Sequence, residues 1–131
     1  MKILIVDDEF IGRRILTSYL SKYGTCDMAS NGLEAIEAFK LAYEEGEPYN
    51  LICLDIVMPE INGQDVLKQI REYENSMGIY GLDQAVIIMT TALGDFENIK
   101  KSALSKCEGY LVKPIDKEKL FDIVDSYQFN C

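Results

Sequence analysis

Histidine is absent from this 131-residue chain. That gap removes Ser-His-Asp and Cys-His catalysis and every His-ligated zinc site. The four cysteines, Cys26, Cys53, Cys107 and Cys131, form no Cys-x-x-Cys pair, so neither a redox motif nor a zinc knuckle is indicated. They read as buried or incidental thiols. Positive charge is in short supply: 13 Lys and Arg face 22 Asp and Glu, leaving a net charge of -9. Such a chain is repelled by nucleic-acid phosphates and by anionic lipid, so neither is an expected partner. Long apolar runs are missing too. Ile3–Val6 is too brief for a secretory core, and no stretch approaches a membrane span, so a cytoplasmic location is expected. A Gly-x-x-x-x-Gly-Lys-[Ser/Thr] loop is lacking, which excludes a nucleotide switch of that kind. There is no repeat, low-complexity tract or linker. At this length a single domain over residues 1–131 is expected.

What the chain does contain is a regular alternation of elements. Lys2–Val6, Asn50–Leu54 and Ala85–Met89 are short unbroken runs rich in Ile, Leu and Val, as in parallel strands covered on both faces. Thr25–Ala29 and Gly109–Val112 are weaker strands of the same kind. Between them the period becomes helical. Ile11, Ile15, Tyr19 and Leu20 mark a first apolar stripe; Ile36, Phe39 and Tyr43 mark a second, behind a capping box of Asn31 and Glu34. Val66, Leu67, Ile70 and Tyr73 follow Asn62-Gly63. Phe96, Ile99, Ala103 and Leu104 predict a fourth helix, and Leu120, Ile123, Val124 and Tyr127 a fifth, capped by Asp116. Five βα units predict a doubly wound, five-stranded parallel sheet with helices on both faces. The flavodoxin-like strand order 2-1-3-4-5 suits this length.

In such sheets the working crevice lies beyond the carboxyl ends of the strands. Asp7-Asp8 end the first strand, Asp55 the third, Thr91 the fourth and Lys113 the fifth. Each has an ordinary alternative as a cap, a turn residue or punctuation, but four separate loops deliver complementary groups to one rim. Two carboxylates about 4 Å apart repel by roughly 4 kcal/mol at an effective dielectric near 20. Three acids against one lysine leave a formal charge of -2, which a divalent cation neutralises. The oxygen-only donors point to Mg²⁺, with Mn²⁺ as its substitute.

At these residues the chain resembles the response-regulator receiver domain of two-component signalling, over essentially its whole length. Asp7-Asp8, Asp55-x-x-Met58-Pro59, Asn62-Gly63, Thr91-Ala92 and Lys113-Pro114 carry the resemblance, in order and each at a strand end. It is most similar to the stand-alone kind typified by the chemotaxis regulator. The resemblance implies that Asp55 accepts a phosphoryl group from a histidine kinase or phosphotransfer protein. It implies a Mg²⁺ held by Asp8, Asp55, the Val57 carbonyl and, through water, Asp7. Lys113 and Thr91 are implied to contact the phosphoryl group. Tyr110 is implied to turn inward as the face of the fourth helix, fifth strand and fifth helix repacks for an unidentified target. A monomer or a phosphorylation-dependent dimer fits this pattern.

Two features depart from the usual pattern. Glu74–Gln84 lengthens the connection before the fourth strand, as a surface insertion or a partner contact. Val57 and Leu93 place apolar side chains beside the acceptor and the threonine. The resemblance implies that side chains there tune how easily water reaches the phosphoryl group, and so implies slow self-dephosphorylation. A haloacid-dehalogenase-type phosphatase would need an acid where Val57 stands. A flavodoxin would need a Ser/Thr/Gly-rich loop where the chain has Asp7-Asp8-Glu9. The remaining alternative is a receiver-fold adaptor that acts by protein binding alone.

Overall fold

A computed structural model describes residues 1–92 and 107–127. The predicted fourth-helix stripe at Phe96, Ile99, Ala103 and Leu104 lies outside the described residues, as does Leu93. Five parallel strands, β1 (Lys2–Val6), β2 (Thr25–Ala29), β3 (Leu51–Asp55), β4 (Val86–Ala92) and β5 (Gly109–Lys113), stand in the order β2-β1-β3-β4-β5. The described helices are α1 (Phe10–Leu20), α2 (Gly32–Glu44), α3 (Gly63–Ser76) and α4 (Lys117–Ser126).

The strands carry apolar residues on both faces because both faces are covered. Leu4, Val6, Ile52, Leu54, Ile87 and Met89 pack with α2 and α3 on one side. Their neighbours Ile3, Ile5, Leu51, Cys53, Ile88 and Leu111 pack with α1 and α4 on the other. Alternation is thus present in every strand, but it divides two cores rather than core from solvent.

The expected inward stripe of α1 holds in its last turn, where Leu20 is buried and Tyr19 packs against the core, and fails in its first two. Ile11 and Ile15 are exposed, and Leu16 and Leu20 are the buried pair. The helix holds two apolar stripes with i, i+4 spacing, offset by one residue, or about 100°. The stripe headed by Gly12 wins because a Cβ there would collide with the Asp7 carboxylate, so only glycine lets α1 approach β1 this closely. The caps behave as their residue types dictate. Asn31 accepts from Glu34 N, Asn62 from Asp65 N, and Asp116 from Glu118 N. The box at α2 is shifted by one residue, since the Glu34 carboxylate reaches Ser30 rather than Asn31.

The long connection is also shorter than expected. α3 continues through Ser76, so Glu74 is a helical residue, fully buried. Its carboxylate takes the Arg71 guanidinium at 2.8 Å and the Ala85 amide at 2.8 Å. Arg71 in turn reaches Glu108 with two bonds of 2.8 and 3.0 Å. The end of α3 is thereby tied to the start of β4 and to the entry of β5.

Candidate functional site

Parallel strands deliver their last residues to one edge. Asp55 pairs in register with Thr90, and Ala92 with Lys113, while Asp7 follows β1 directly and its amide bonds Ala29 O at 3.2 Å. By the same alternation that splits the cores, Asp7, Asp55 and Lys113 continue the rows of Ile5, Cys53 and Leu111.

The side chains meet. Lys113 Nζ donates to Asp55 Oδ2 at 3.1 Å and to Asp7 Oδ2 at 3.3 Å. Asp7 is 0% exposed and Asp55 3%, whereas Asp8 is open to solvent. One carboxylate oxygen from each of Asp7, Asp8 and Asp55 lies within 4.8 Å of the others. Backbone amides fix the remaining oxygens: Glu9 N donates to Asp7 Oδ1 at 2.9 Å, and Val57 N to Asp55 Oδ1 at 3.3 Å. Arg13 anchors the turn through the Asp7 carbonyl at 2.7 Å. Gly63 closes the loop below the acceptor. Its amide bonds Ile56 O at 2.7 Å, and any Cβ there would strike the Asp55 carbonyl.

Burial pushes the Asp55 pKa up to about 6, and the neighbouring Asp7 adds to the rise; Lys113 and the Val57 amide hold it from going higher. For Lys113, burial pulls downward, but Asp55 and Asp7 together pull upward by more, and the net shift is upward. One ammonium therefore serves two buried carboxylates and leaves negative charge over. Three carboxylates of this spacing, with one open to solvent and no nitrogen or sulfur donor among them, fit a hard divalent cation such as Mg²⁺.

The other predicted residues are placed less directly. Thr91 is buried, and its hydroxyl donates to the Ala92 carbonyl at 3.2 Å rather than to a site carboxylate. Val57 is 51% exposed beside Asp55. Tyr110 is 40% exposed, next to Leu111 but on the opposite face of β5. Thr90, to which the sequence reading assigned no role, has a buried hydroxyl with no hydrogen-bond partner among the described residues. Its pairing with Asp55 marks it as the polar group nearest in register to the acid cluster.

A doubly wound sheet with an acidic, lysine-braced pocket at its switch point defines a class of signalling domain rather than a nucleotide binder. The chain belongs to the response regulator receiver domain family, which it matches over residues 3–125. It is 33% identical over 124 residues to the chemotaxis protein CheY of Halobacterium salinarum, covering 94% of this chain and 92% of that protein. A CheX–CheY–BeF3–Mg²⁺ complex from Borrelia burgdorferi has a similar structure, with 30% identity, a TM-score of 0.78, and coverage of 96% of this chain and 87% of that one. So has a chain of the co-crystal of the Saccharomyces cerevisiae histidine phosphotransfer signalling protein Ypd1 and the receiver domain of its downstream response regulator Ssk1: 32% identity, TM-score 0.75, coverage of 92% of this chain and 83% of that one. The chain is thus a receiver domain of two-component signalling, similar to chemotaxis regulators. No described helix is long and apolar enough to cross a membrane.

Proposed function

We propose that this receiver domain is a phosphorylation-dependent switch whose acceptor is Asp55. The observation that carries the reading is the meeting of Asp7, Asp8 and Asp55 within 4.8 Å while Lys113 bridges two of them. An Asp55 oxygen attacks the phosphorus of a phosphohistidine on a partner kinase or phosphotransfer protein. The phosphorus–nitrogen bond breaks, and the leaving imidazole takes up a proton. With a pKa near 6, Asp55 is ionised and nucleophilic at neutral pH. Lys113 already touches Asp55 and follows the charge onto the phosphoryl oxygens. Asp8, Asp55, the Val57 carbonyl and, through water, Asp7 would hold Mg²⁺, which would offset charge on the transferring group. The Borrelia complex, with its BeF3 and Mg²⁺, supports the metal, and the Ypd1–Ssk1 pair supports the choice of donor.

Phosphorylation replaces a charge of -1 by about -2 with strong acceptor oxygens. Thr91 exchanges its Ala92 carbonyl for the phosphoryl group, and the exposed Tyr110 turns inward, altering the face built on β5 and α4. The apolar Val57 beside the acceptor slows attack by water, so the phosphorylated state is long-lived.

The test is intact-mass spectrometry after incubation with Mg²⁺ and a small acyl phosphate. One added phosphoryl group is expected, lost in Asp55→Asn and with chelator. No gain with the acyl phosphate or with histidine kinases would leave a phosphorylation-independent adaptor.

A further inference from the structure

A second recess lies at the opposite end of the sheet from the carboxylates, about 17 Å away along a five-residue strand. It is a groove of about 300 Å³ between the residues that enter β3 and β4 and the connection that follows α3. Tyr43, Tyr49 and Val86 form its walls, and Ile79, Leu82 and Gln84 come from the connection. The connection spends its apolar residues on the outside. Leu82 is 70% exposed and Tyr80 62%, and Met77 is exposed beside them. In a strongly acidic chain three large apolar side chains within six positions are costly to leave in water, and one of them, Leu82, lines the recess itself.

The rim is acidic. Glu45 and Glu47 stand exposed in the turn that leads from α2 to Tyr49, Glu44 is exposed at the end of α2, and Asp83 lies in the lining itself. Their field reaches the walls. The Tyr43 hydroxyl is shifted upward chiefly by burial and by the buried Glu74, with Asp83 of the rim adding and Arg71 pulling the other way; that of Tyr49 is raised by burial and by Asp27, with Glu45 of the rim adding. Lys2 lies over the Tyr49 ring with its Nζ on the Glu47 carbonyl, and the Arg71 guanidinium acts on Tyr43 from inside the fold. An apolar cleft under an acidic rim repels phosphate and anionic lipid and selects a cationic peptide.

We propose that this groove docks a basic amphipathic segment of a partner protein, with one large apolar side chain seated between Tyr43 and Leu82 and flanking Lys or Arg residues over the glutamates. The site is remote from Asp55, so docking does not require phosphorylation and leaves the acceptor rim free.

The test uses a short fluorescent peptide with Leu and Phe on one helical face and Lys and Arg on the other. Two controls accompany it, one with Lys and Arg replaced by Glu and one scrambled to abolish the apolar face. Amide shifts in NMR spectra should map its binding to Ile79, Leu82, Gln84 and Val86, and neither control should produce them. Leu82→Glu should weaken binding about tenfold, as loss of a seated anchor does. That variant makes the chain more acidic, so mere charge attraction would strengthen binding instead and overturn the proposal. Because Leu82 is exposed, the variant keeps its fold, which circular dichroism verifies. Asp55→Asn should bind the peptide unchanged. Shifts confined to other surfaces, or a concentration-dependent dimer of the free chain abolished by Leu82→Glu, would also overturn it, the latter by assigning the groove to a second copy.

Discussion

Asp55→Asn is expected to stabilise the metal-free protein, although it removes a salt-bridge partner. In the folded state burial raises the Asp55 pKa from 3.8 to about 6 even with Lys113 at 3.1 Å. The folded chain therefore binds a proton at this site more tightly than the unfolded chain does. Between these two values the folded state carries the extra proton, so stability falls as pH rises through the window. A shift of about two pKa units corresponds to roughly 3 kcal/mol, fully felt above about pH 7. Asparagine has the shape of the protonated acid and escapes that cost. In chelator near pH 8, thermal unfolding of the variant should come about 10 °C higher than that of the parent. Near pH 4.5 the advantage should shrink to about 1 kcal/mol, because the parent acid is then protonated when folded and partly so when unfolded. Added Mg²⁺ should raise the parent toward the variant. Equal midpoints in chelator at high pH, or a gap indifferent to pH, would refute the claim that the carboxylate cluster is held together against its own charge.

Mg²⁺ affinity, measured by titration calorimetry, should fall about tenfold between pH 8 and pH 5 as Asp55 takes up its proton, and Asp55→Asn should lose that dependence. Lys113→Ala should slow acceptance of the phosphoryl group by about 10²-fold in time-resolved mass spectrometry, since no other described cation touches the acceptor. Arg71→Leu should cost roughly 3–5 kcal/mol in urea unfolding by stranding the buried Glu74 carboxylate, and adding Glu74→Gln should recover part of the loss. Val57→Asn with Leu93→Glu should shorten the life of the phosphorylated state, followed by loss of the added mass; an unchanged lifetime counts against the role assigned to these side chains.

The site was legible in the sequence because charged residues interrupt apolar runs. Asp7, Asp55 and Lys113 each end a strand whose other residues are buried, and a parallel sheet carries all such ends to one edge. The inward face of α1 was legible only at Tyr19 and Leu20, because Ile11–Ile15 and Gly12–Leu16 satisfy the helical period equally well in the first turns. Only the contact between Gly12 and Asp7 chooses between them. Arg71 and Glu74 were missed for a different reason. Charged residues three apart on a helix are normally solvated, and nothing local reveals that Glu108, 37 residues beyond Arg71, completes their pairing.

These two kinds of buried charge divide the molecule by purpose. At the end of α3, Arg71 has a carboxylate on each side, and both acids spend their other bonds on the backbone amides of Ala85 and Ile87. Every strong group is answered, and the framework at the start of β4 is held rigid. At the other end of β4 the balance is left open: one lysine faces two buried acids, Asp8 adds a third, and the Thr90 hydroxyl is unanswered among the described residues. A site already short of positive charge responds to each change of charge placed in it, by metal, proton or phosphoryl group. A framework with its ionic bonds satisfied does not, so the proposed response starts at the carboxyl ends of the strands and spares the start of β4. Neutralising Lys113 should therefore shift the pH response of the rim while leaving the Arg71 network intact, and neutralising Arg71 should lower stability without changing the pH at which Mg²⁺ is released.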